Sequence, residues 1–452
     1  MINQDLYDQY NDVVVHDLPP SKSRPPWIRA IGYKHKNQRM VLSKEICDFA
    51  KYIELTKEEK EIRYLILRKL TFLVQKLLPE SDVILHGSSA SNTAMPKGDL
   101  DFLIVSRTKS MSIGDILDQL CFQLVNVYSF LLPISCVRHN ARVPIIAGVE
   151  STFGFNIDIS ISEESVHSFN GLLNIQRTRS LLSTYHSLFP LLMVLKHFLR
   201  VNSLDSPYEG GISSTVLMQM IVYIIQSAPN NCKENVGELL LGFFNTFGYC
   251  YNYIECQIST INGGRIIKKG YSKDKDFNSS FSIVVEDPQH PGMFISSNNK
   301  KHQVFFQKCG KANQLLKMKY NEFESMLMRI FKDFSIIENE RNEVFKQYLK
   351  IMKIPIPLNT PEQSDSRKEA ISHFISGFIE SQRDKITREI ENSSDWVLKE
   401  WRSPHMALQQ LRENEHVPSV PATQKAPKPD KEETEILNEK ILLKTIININ
   451  NL

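Results

Sequence analysis

Two helices are predicted near the start of the chain from the spacing of its apolar residues. The first runs from about 43 to 53. The second runs from 56 to 78, because Thr56 and Glu59 match the two positions of a capping box and the apolar residues that follow recur at helical spacing. Pro79 ends this pattern, since proline lacks the amide hydrogen that a helix interior needs.

Strand-like segments come next, and they are short and apolar. Three strands are predicted, at 82–85, 99–105 and 155–161. From about 181 the apolar period becomes helical, with one late strand or extended segment at 281–287. The pattern therefore predicts a region of mixed α and β structure followed by a mostly helical region.

The two ends of the chain have a different character. Residues 1–39 are polar and hold several prolines before Trp27, which is typical of an arm rather than a domain. An amphipathic helix is predicted at 371–390. Residues 417–434 contain four prolines and resemble a linker, and the apolar tail after them is expected to dock on this protein or on another.

Composition narrows the class of protein. The chain has 452 residues, of which 42% are hydrophobic, and this content indicates two or three globular domains rather than a disordered or collagen-like protein. Its 7 cysteines are scattered without a C-x-x-C pair, which indicates reduced thiols inside the cell and argues against a zinc knuckle. The stretch 215–225 is too short to span a bilayer, and the polar start of the chain shows no secretory signal.

Charge is informative in one segment. Residues 261–320 hold 11 Lys or Arg and 4 acidic residues, although the whole chain has a net charge of only +3. A basic stretch of this kind is either a solvated surface or a track for phosphate groups. It is a candidate phosphate-binding surface.

Three aspartates form the chemical centre of the sequence. Asp99 and Asp101 alternate with apolar residues on one predicted strand, so their side chains point to the same face. Asp158 stands on the polar face of a third strand. Alone, D-x-D is often a solvated strand edge, but three carboxylates together repel one another and favour divalent cations. The pattern predicts a site in which two ions clamp a phosphoryl transfer.

Phosphate-binding candidates surround this centre in the sequence. Gly87 and Ser88 follow the strand before Asp99, where glycine allows close approach of the backbone to phosphate. Lys196 and Arg200 lie four apart in a predicted helix and share a face, which is the arrangement of a triphosphate grip or of an ordinary solvated face. Ser213 and Ser214 lie at the start of a predicted helix. Either the backbone amides there bind an anion, or the serine side chains simply cap the helix.

These segments resemble a known family. HGSS followed by GDLDFLIV, ARVPII and FNIDISIS is similar to the DNA polymerase β type of nucleotidyltransferase. The closer resemblance is to poly(A) polymerases of the TRAMP complex type and to terminal uridylyltransferases. Further matching segments are PLLMVLKHFLRVNSLDSPYEGGISSTVLMQMIV, NVGELLLGFFNTFGYCYNY and VVEDPQHPG, so the resemblance extends from Trp27 to about 316.

The resemblance implies an α+β fold with a nucleotidyltransferase palm and a mostly helical central domain of the poly(A) polymerase type. The expected division is an arm at 1–39, a catalytic domain at 57–180, a helical domain built from 40–56 and 181–330, an extension at 331–416, and a linker with tail at 417–452. Two Mg²⁺ or Mn²⁺ ions are expected at the three aspartates, with ATP as substrate. The resemblance adds Asn170 and Asp287 to the nucleotide-binding residues.

Departures from the family pattern leave the base preference open. Gly98 replaces the serine that usually precedes the first aspartate, and Thr215 replaces an aromatic that stacks on the incoming base. The segment 293–299 also differs from its relatives. Loss of a stacking partner forfeits about 1 to 3 kcal/mol. Overall resemblance favours AMP, and the alternatives are a uridylyltransferase and a weak or inactive RNA- or nucleotide-binding protein on the same fold.

The expected setting is RNA surveillance or processing. No RNA-binding module is evident in the sequence, so a helper protein is expected. The resemblance implies RNA 3′ ends and a nucleoside triphosphate as substrates, and a zinc-knuckle RNA-binding protein and an RNA helicase as partners. No membrane association is expected. A nuclear location follows from the resemblance alone, with a cytoplasmic one as the alternative.

Overall fold

The computed structural model describes most of the chain up to residue 351. The described residues are 14–15, 25–28, 33–79, 81–106, 111–141, 143–163, 170–269, 281–288, 290–295, 300–320, 324–331 and 333–351. The predicted helix at 371–390, the linker at 417–434 and the apolar tail lie outside them. So does most of the predicted arm.

A mixed five-stranded sheet forms the palm. Its strands are β3 (Ser81–His86), β4 (Leu100–Ser106), β5 (Cys136–Arg138), β6 (Ile145–Val149) and β7 (Asn156–Glu163), whereas β1 (Val14–Val15) and β2 (Tyr33–Lys34) pair separately. The order across the sheet is β3-β4-β7-β6-β5, and only β4 and β7 run parallel. The three predicted palm strands are confirmed. The short β5 and β6 were not predicted.

Helices cover this sheet and connect its strands. They are α2 (Lys57–Leu77), α3 (Gly87–Ala90), α4 (Ile113–Phe122) and α5 (Asn170–Thr184). The predicted capping box at the start of α2 is confirmed, because the Glu59 amide donates to Thr56 at 3.2 Å and the Thr56 amide donates to Glu59 at 2.8 Å. Helix α2 packs on β3, and α3 packs on α5.

A helical core forms the second part of the described chain. Its helices are α1 (Gln38–Ile53), α6 (Leu188–Val201), α7 (Ser214–Ser227), α8 (Val236–Asn245), α9 (His302–Lys317), α10 (Met328–Phe331) and α11 (Ser335–Ile351). Helix α1 packs on α6 and α8. Trp27, predicted to lie in an arm, is 3% exposed within this core. Its indole donates to Glu45, a buried carboxylate that also accepts from the Met326 amide.

A small sheet interrupts the helical region. Its strands are β8 (Cys256–Ser259), β9 (Arg265–Lys268), β10 (Val285–Glu286) and β11 (Phe294–Ile295). The extended segment predicted at 281–287 supplies only β10. The β8–β9 hairpin was not predicted, although the Asn-Gly-Gly turn at 262–264 was its sequence signal, with Asn262 and Gly263 at positive φ.

The observed helices and sheets confirm the predicted α+β class. All seven cysteines are free thiols, as their spacing indicated. Among the described helices, none has the length and apolar content needed to cross a membrane.

Candidate active site

Two of the three aspartates occupy neighbouring strands in register. Asp101 on β4 is the Cα partner of Asp158 on the parallel strand β7. Adjacent strands lie about 4.8 Å apart, so side chains on one face of this rung are close neighbours. Asp99 stands directly before β4, and its carboxylate accepts from the Asn156 side chain at 3.0 Å. The fold thus brings the three predicted carboxylates together at the starts of the neighbouring strands β4 and β7.

The electrostatics of this group follow from its crowding. Burial, and then the negative charges of Asp158 and Asp99, raise the pKa of Asp101 to about 7. Burial and Asp99 also raise the pKa of Asp158, whereas the Arg138 guanidinium opposes that shift. The site therefore carries more negative charge than its protein surroundings neutralise, and a cation would relieve the repulsion.

Gly87 is needed at its position beside Asp101. Its φ is +63°, and a Cβ built there would lie 2.0 Å from Asp101 Oδ2, so any side chain would displace the carboxylate. Ser88 follows it in the single turn of α3 and is half-buried. The predicted Gly-Ser pair therefore lies against the carboxylates.

Three basic side chains support the loop that leads from α3 to Asp99. Lys196 Nζ donates to the Thr93 carbonyl at 2.8 Å, and Arg200 donates to the Pro96 carbonyl at 3.3 Å. Arg63 Nη2 donates to the Met95 carbonyl at 3.0 Å. Together they hold the backbone of residues 93–96, which places Asp99 at the start of β4.

Arg63 is a residue that the sequence analysis missed. It is 3% exposed, it also donates to Ser89 Oγ at 2.8 Å, and its guanidinium lies 5.0 Å from the ring centre of Phe155. Burial lowers its pKa to about 10, and the charges of Glu59, Asp99 and Asp101 oppose that shift. The signal was a charged residue directly beside the apolar stripe of α2, four residues after Glu59.

Lys196 and Arg200 share a helix face as predicted, but their surroundings differ. Burial lowers the pKa of Lys196 to about 8, and the Asp101 charge opposes that shift, so this ammonium lies near the carboxylates. Arg200 forms an ion pair with Glu340 of α11 in addition to its bond to Pro96. Lys196 is therefore placed at the centre of the site, and Arg200 joins the loop to α11.

The predicted serine pair begins α7. The Ser213 side chain caps this helix by accepting from the Val216 amide at 3.2 Å. Ser214 and Thr215 occupy the first turn and are exposed. The position where the resemblance leads us to expect an aromatic side chain is thus open to solvent.

The remaining nucleotide-binding candidates lie at a tight turn and at a helix start. Asp287 follows β10, its carboxylate lies 3.0 Å from His290 Nδ1, and its amide donates to the Met293 carbonyl at 2.8 Å. Arg177 of α5 interacts electrostatically with Asp287. Asn170 is the first residue of α5.

The donor set fits magnesium in one particular manner. Within the described ranges, no three His, Cys, Asp or Glu side chains converge closely enough to hold an ion by themselves. Mg²⁺ is usually bound by one or two carboxylates, with waters and substrate phosphates completing its octahedron. Asp101 with Asp99 or Asp158 can supply those carboxylates. The residues present therefore fit ions that arrive with a triphosphate.

Two family models match the chain. The first, described as "Poly(A) RNA polymerase, mitochondrial-like, central palm domain", matches residues 42–177. The second, described as "Cid1 family poly A polymerase", matches residues 235–292. The first model spans the sheet with the three aspartates, and the second spans Asp287 and three of the four strands of the small sheet, β8, β9 and β10.

Curated relatives and a solved structure agree with these models. The chain is 29% identical over 62% of its length to Poly(A) RNA polymerase CID14 of Cryptococcus neoformans, covering 37% of that protein. It is 27% identical over 70% of its length to Poly(A) RNA polymerase protein 1 of Saccharomyces cerevisiae, covering 49%. The chain thus spans less than half of either relative. The polymerase core of TRAMP, an RNA surveillance complex, has the same fold with a TM-score of 0.60, 24% identity, and coverage of 69% of this chain and 100% of that one.

Proposed function

We propose that this chain is a nucleotidyltransferase of the TRAMP and Cid1 type that adds nucleotides to the 3′ ends of RNA without a template. The observation that carries the proposal is the group of three aspartates at the starts of β4 and β7 in the palm sheet. Asp101 and Asp158 lie on one rung, and Asp99 is fixed beside them. Such crowding of like charge costs stability, and bound cations would offset that cost.

The proposed reaction is attack by an RNA 3′-hydroxyl oxygen on the α-phosphorus of a nucleoside triphosphate. A new P–O bond forms, the bond to the β-phosphate oxygen breaks, and pyrophosphate leaves. Divalent ions would supply charge neutralisation at the attacking and leaving oxygens. Asp99 and Asp101 would hold both ions, and Asp158 would either join them or accept the hydroxyl proton. The raised pKa of Asp158 suits the second role.

The triphosphate would lie between the palm and the helical region. Gly87 lies against the Asp101 carboxylate, and Ser88 follows it in the chain. The Lys196 ammonium is also near Asp101. Ser213 and Ser214 begin α7. Arg200 was also predicted to bind phosphate, and its ion pair with Glu340 supports a second role in holding the loop before Asp99.

AMP is the proposed nucleotide, because both named relatives are poly(A) RNA polymerases. One observation favours UMP or weak selectivity as a second candidate. Thr215 is exposed where relatives carry a stacking ring, so base recognition falls to other residues. Glu286, Asp287 and His290 are described polar residues at the turn that resembles the recognition motif.

The wider setting is proposed by analogy with the TRAMP polymerase core. It comprises RNA surveillance in the nucleus, with a zinc-knuckle RNA-binding protein and an RNA helicase as partners. The described basic residues of 261–320 are proposed to guide RNA through phosphate contacts. Some of them have structural duties as well, since Lys301 pairs with Glu209 at 2.7 Å.

The test is extension of a labelled RNA primer with each nucleoside triphosphate separately, in Mg²⁺ and in Mn²⁺. A ladder with ATP that Asp99→Ala/Asp101→Ala abolishes is the expected result. A ladder with UTP alone would assign the protein to the uridylyltransferases. Absence of extension by folded protein with every nucleotide, with the proposed partners supplied, would leave a non-catalytic binding protein as the explanation.

A further inference from the structure

An arginine of the palm and a tyrosine of the helical region contact each other. The Arg138 guanidinium lies 4.8 Å from the ring centre of Tyr208. Arg138 ends the edge strand β5, and Tyr208 lies in the connection between α6 and α7. Tyr208 is 79% exposed despite this contact, so most of its ring surface faces solvent.

The pair lies on the catalytic face of the sheet. Cys136 of β5 is the Cα partner of Ala147, which is in turn the partner of Asp158. Arg138 is two residues from Cys136 and therefore points to the same face as Asp158. Two strand spacings and an offset of two residues along β5 separate Arg138 from Asp158, so their Cα atoms lie roughly 12 Å apart.

The loop that carries Tyr208 is held firmly in place. Lys301 Nζ donates to the Ser203 carbonyl at 3.0 Å and pairs with Glu209, the neighbour of Tyr208. The Lys301 amide donates to the Gly210 carbonyl at 3.1 Å. A Cβ at Gly210 would lie 2.7 Å from Lys300 Cβ, so this contact requires glycine. An exposed ring on an anchored loop loses little conformational entropy when a ligand stacks on it.

We propose that Arg138 and Tyr208 form a stacking platform for a nucleotide at the 3′ end of single-stranded RNA, a role that rests on the proposed function and deepens it. The base stacks on the open face of Tyr208, and the guanidinium stacks on the other face and attracts the adjoining phosphate. Flat aromatic and guanidinium surfaces bind unpaired bases with little sequence preference. The location beside Asp158 favours RNA over the incoming nucleotide, because Asp158 is the carboxylate proposed to face the 3′-hydroxyl.

The chain supplies a matched control pair. On α2, the Arg68 guanidinium lies 6.0 Å from the ring centre of Tyr64, which is 44% exposed. Tyr64 and Arg68 therefore repeat the chemistry of the platform within a single helix. Substitutions there change the same residue types without touching the palm-to-helix contact.

The experiment measures binding of 5′-fluorescein-labelled oligoadenylate to the full chain by anisotropy, without nucleoside triphosphate. Tyr208→Ala is expected to weaken binding by about tenfold and Tyr208→Trp to preserve it, because a ring is what stacks. Arg138→Ala is expected to weaken binding, and Arg138→Lys to restore it only in part, since lysine keeps the charge but not the plane. Tyr64→Ala and Arg68→Ala are expected to bind as wild type.

Steady-state kinetics separate this proposal from its alternatives. The expected result for Tyr208→Ala is a higher KM for RNA and an unchanged KM for ATP. Wild-type RNA affinity in Tyr208→Ala, equal weakening in Tyr64→Ala, or a rise confined to the KM for ATP would each overturn the platform. If RNA binding depends on Tyr208 but no nucleotide is transferred, the platform stands and the proposed function fails.

Discussion

Two regions of the molecule are built in different ways. The palm edge comprises the starts of β4 and β7 with the three aspartates, and the selecting wall is the first turn of α7, which is proposed to contact the nucleotide base. At the palm edge, Gly87 has no space for a side chain, and Arg63 is buried with two hydrogen bonds. At the selecting wall, Ser214 and Thr215 are exposed on the first turn of α7. The comparison teaches that buried contacts determine the positions of the groups around the carboxylates, whereas the residues proposed to select the base are exposed and can change at little structural cost.

The comparison predicts that the largest effect will come from the palm. Asp101→Asn is expected to lower kcat/KM by roughly a thousandfold or more, because it removes a charge that holds the ions of a phosphoryl transfer. The measurement is primer extension at saturating RNA. Asp82→Asn, at an exposed position of the neighbouring strand β3, is the control and should retain activity. Comparable losses in both variants would show that general electrostatics, not this site, is responsible.

The second prediction concerns the support beneath the site. Arg63→Met is expected to lower kcat by about a hundredfold and the free energy of unfolding by about 2 kcal/mol, because it leaves the buried Met95 carbonyl without its donor. Chemical denaturation and single-turnover kinetics measure the two effects. Arg68→Met changes an exposed arginine of the same helix and should be neutral in both. If the two variants behave alike, the loop before Asp99 does not depend on Arg63.

The third prediction is a dependence of stability on pH in the absence of divalent ions. Burial raises the pKa of Asp101 to about 7 in the folded protein, from the ordinary aspartate value of 3.8 that applies to the unfolded chain. A raised carboxyl pKa means that ionisation opposes folding, so this group destabilises the protein progressively as the pH rises from about 4 to about 7. Asp101→Asn is therefore expected to gain stability over wild type across that range. Thermal melts with and without Mg²⁺ test this, and a constant difference between the proteins at every pH would contradict it.

The smallest effect is expected at the selecting wall. Thr215→Tyr should lower the KM for the preferred nucleotide by about fivefold, because a ring at this exposed position can stack on the base. Thr215→Leu adds apolar bulk without a ring and serves as the control. The measurement is initial rate against nucleotide concentration. Equal effects of tyrosine and leucine would mean that size, not stacking, acts at this position.

Sequence reasoning succeeded where a signal is local. The capping box at Thr56, the strand with Asp99 and Asp101, and the alternation around Asp158 each depend on neighbours a few residues away. It failed for β5, β6 and the β8–β9 hairpin, which are five residues long or less. Such short strands carry too few alternating positions to be distinguished from loops, and partners distant in sequence stabilise them.

For the site residues too, prediction succeeded where the signal is local and failed where distant segments meet. Local spacing was sufficient to predict that Lys196 and Arg200 share a face, because helix geometry alone requires it. It could not predict that Arg200 would pair with Glu340, 140 residues further along the chain. Nor could it single out Arg63, whose neighbours Ser89 and Met95 become close only when α2 packs on the sheet.

The sequence by itself determined the three carboxylates, the glycine beside them, and the α+β class, because these follow from residue type and from periods of two and 3.6. Only the tertiary structure decided which cations support the loop before Asp99 and that Arg138 meets Tyr208 across the site. The physical reason is that side-chain contacts between distant segments depend on how whole elements pack. No local pattern along the chain encodes that packing directly.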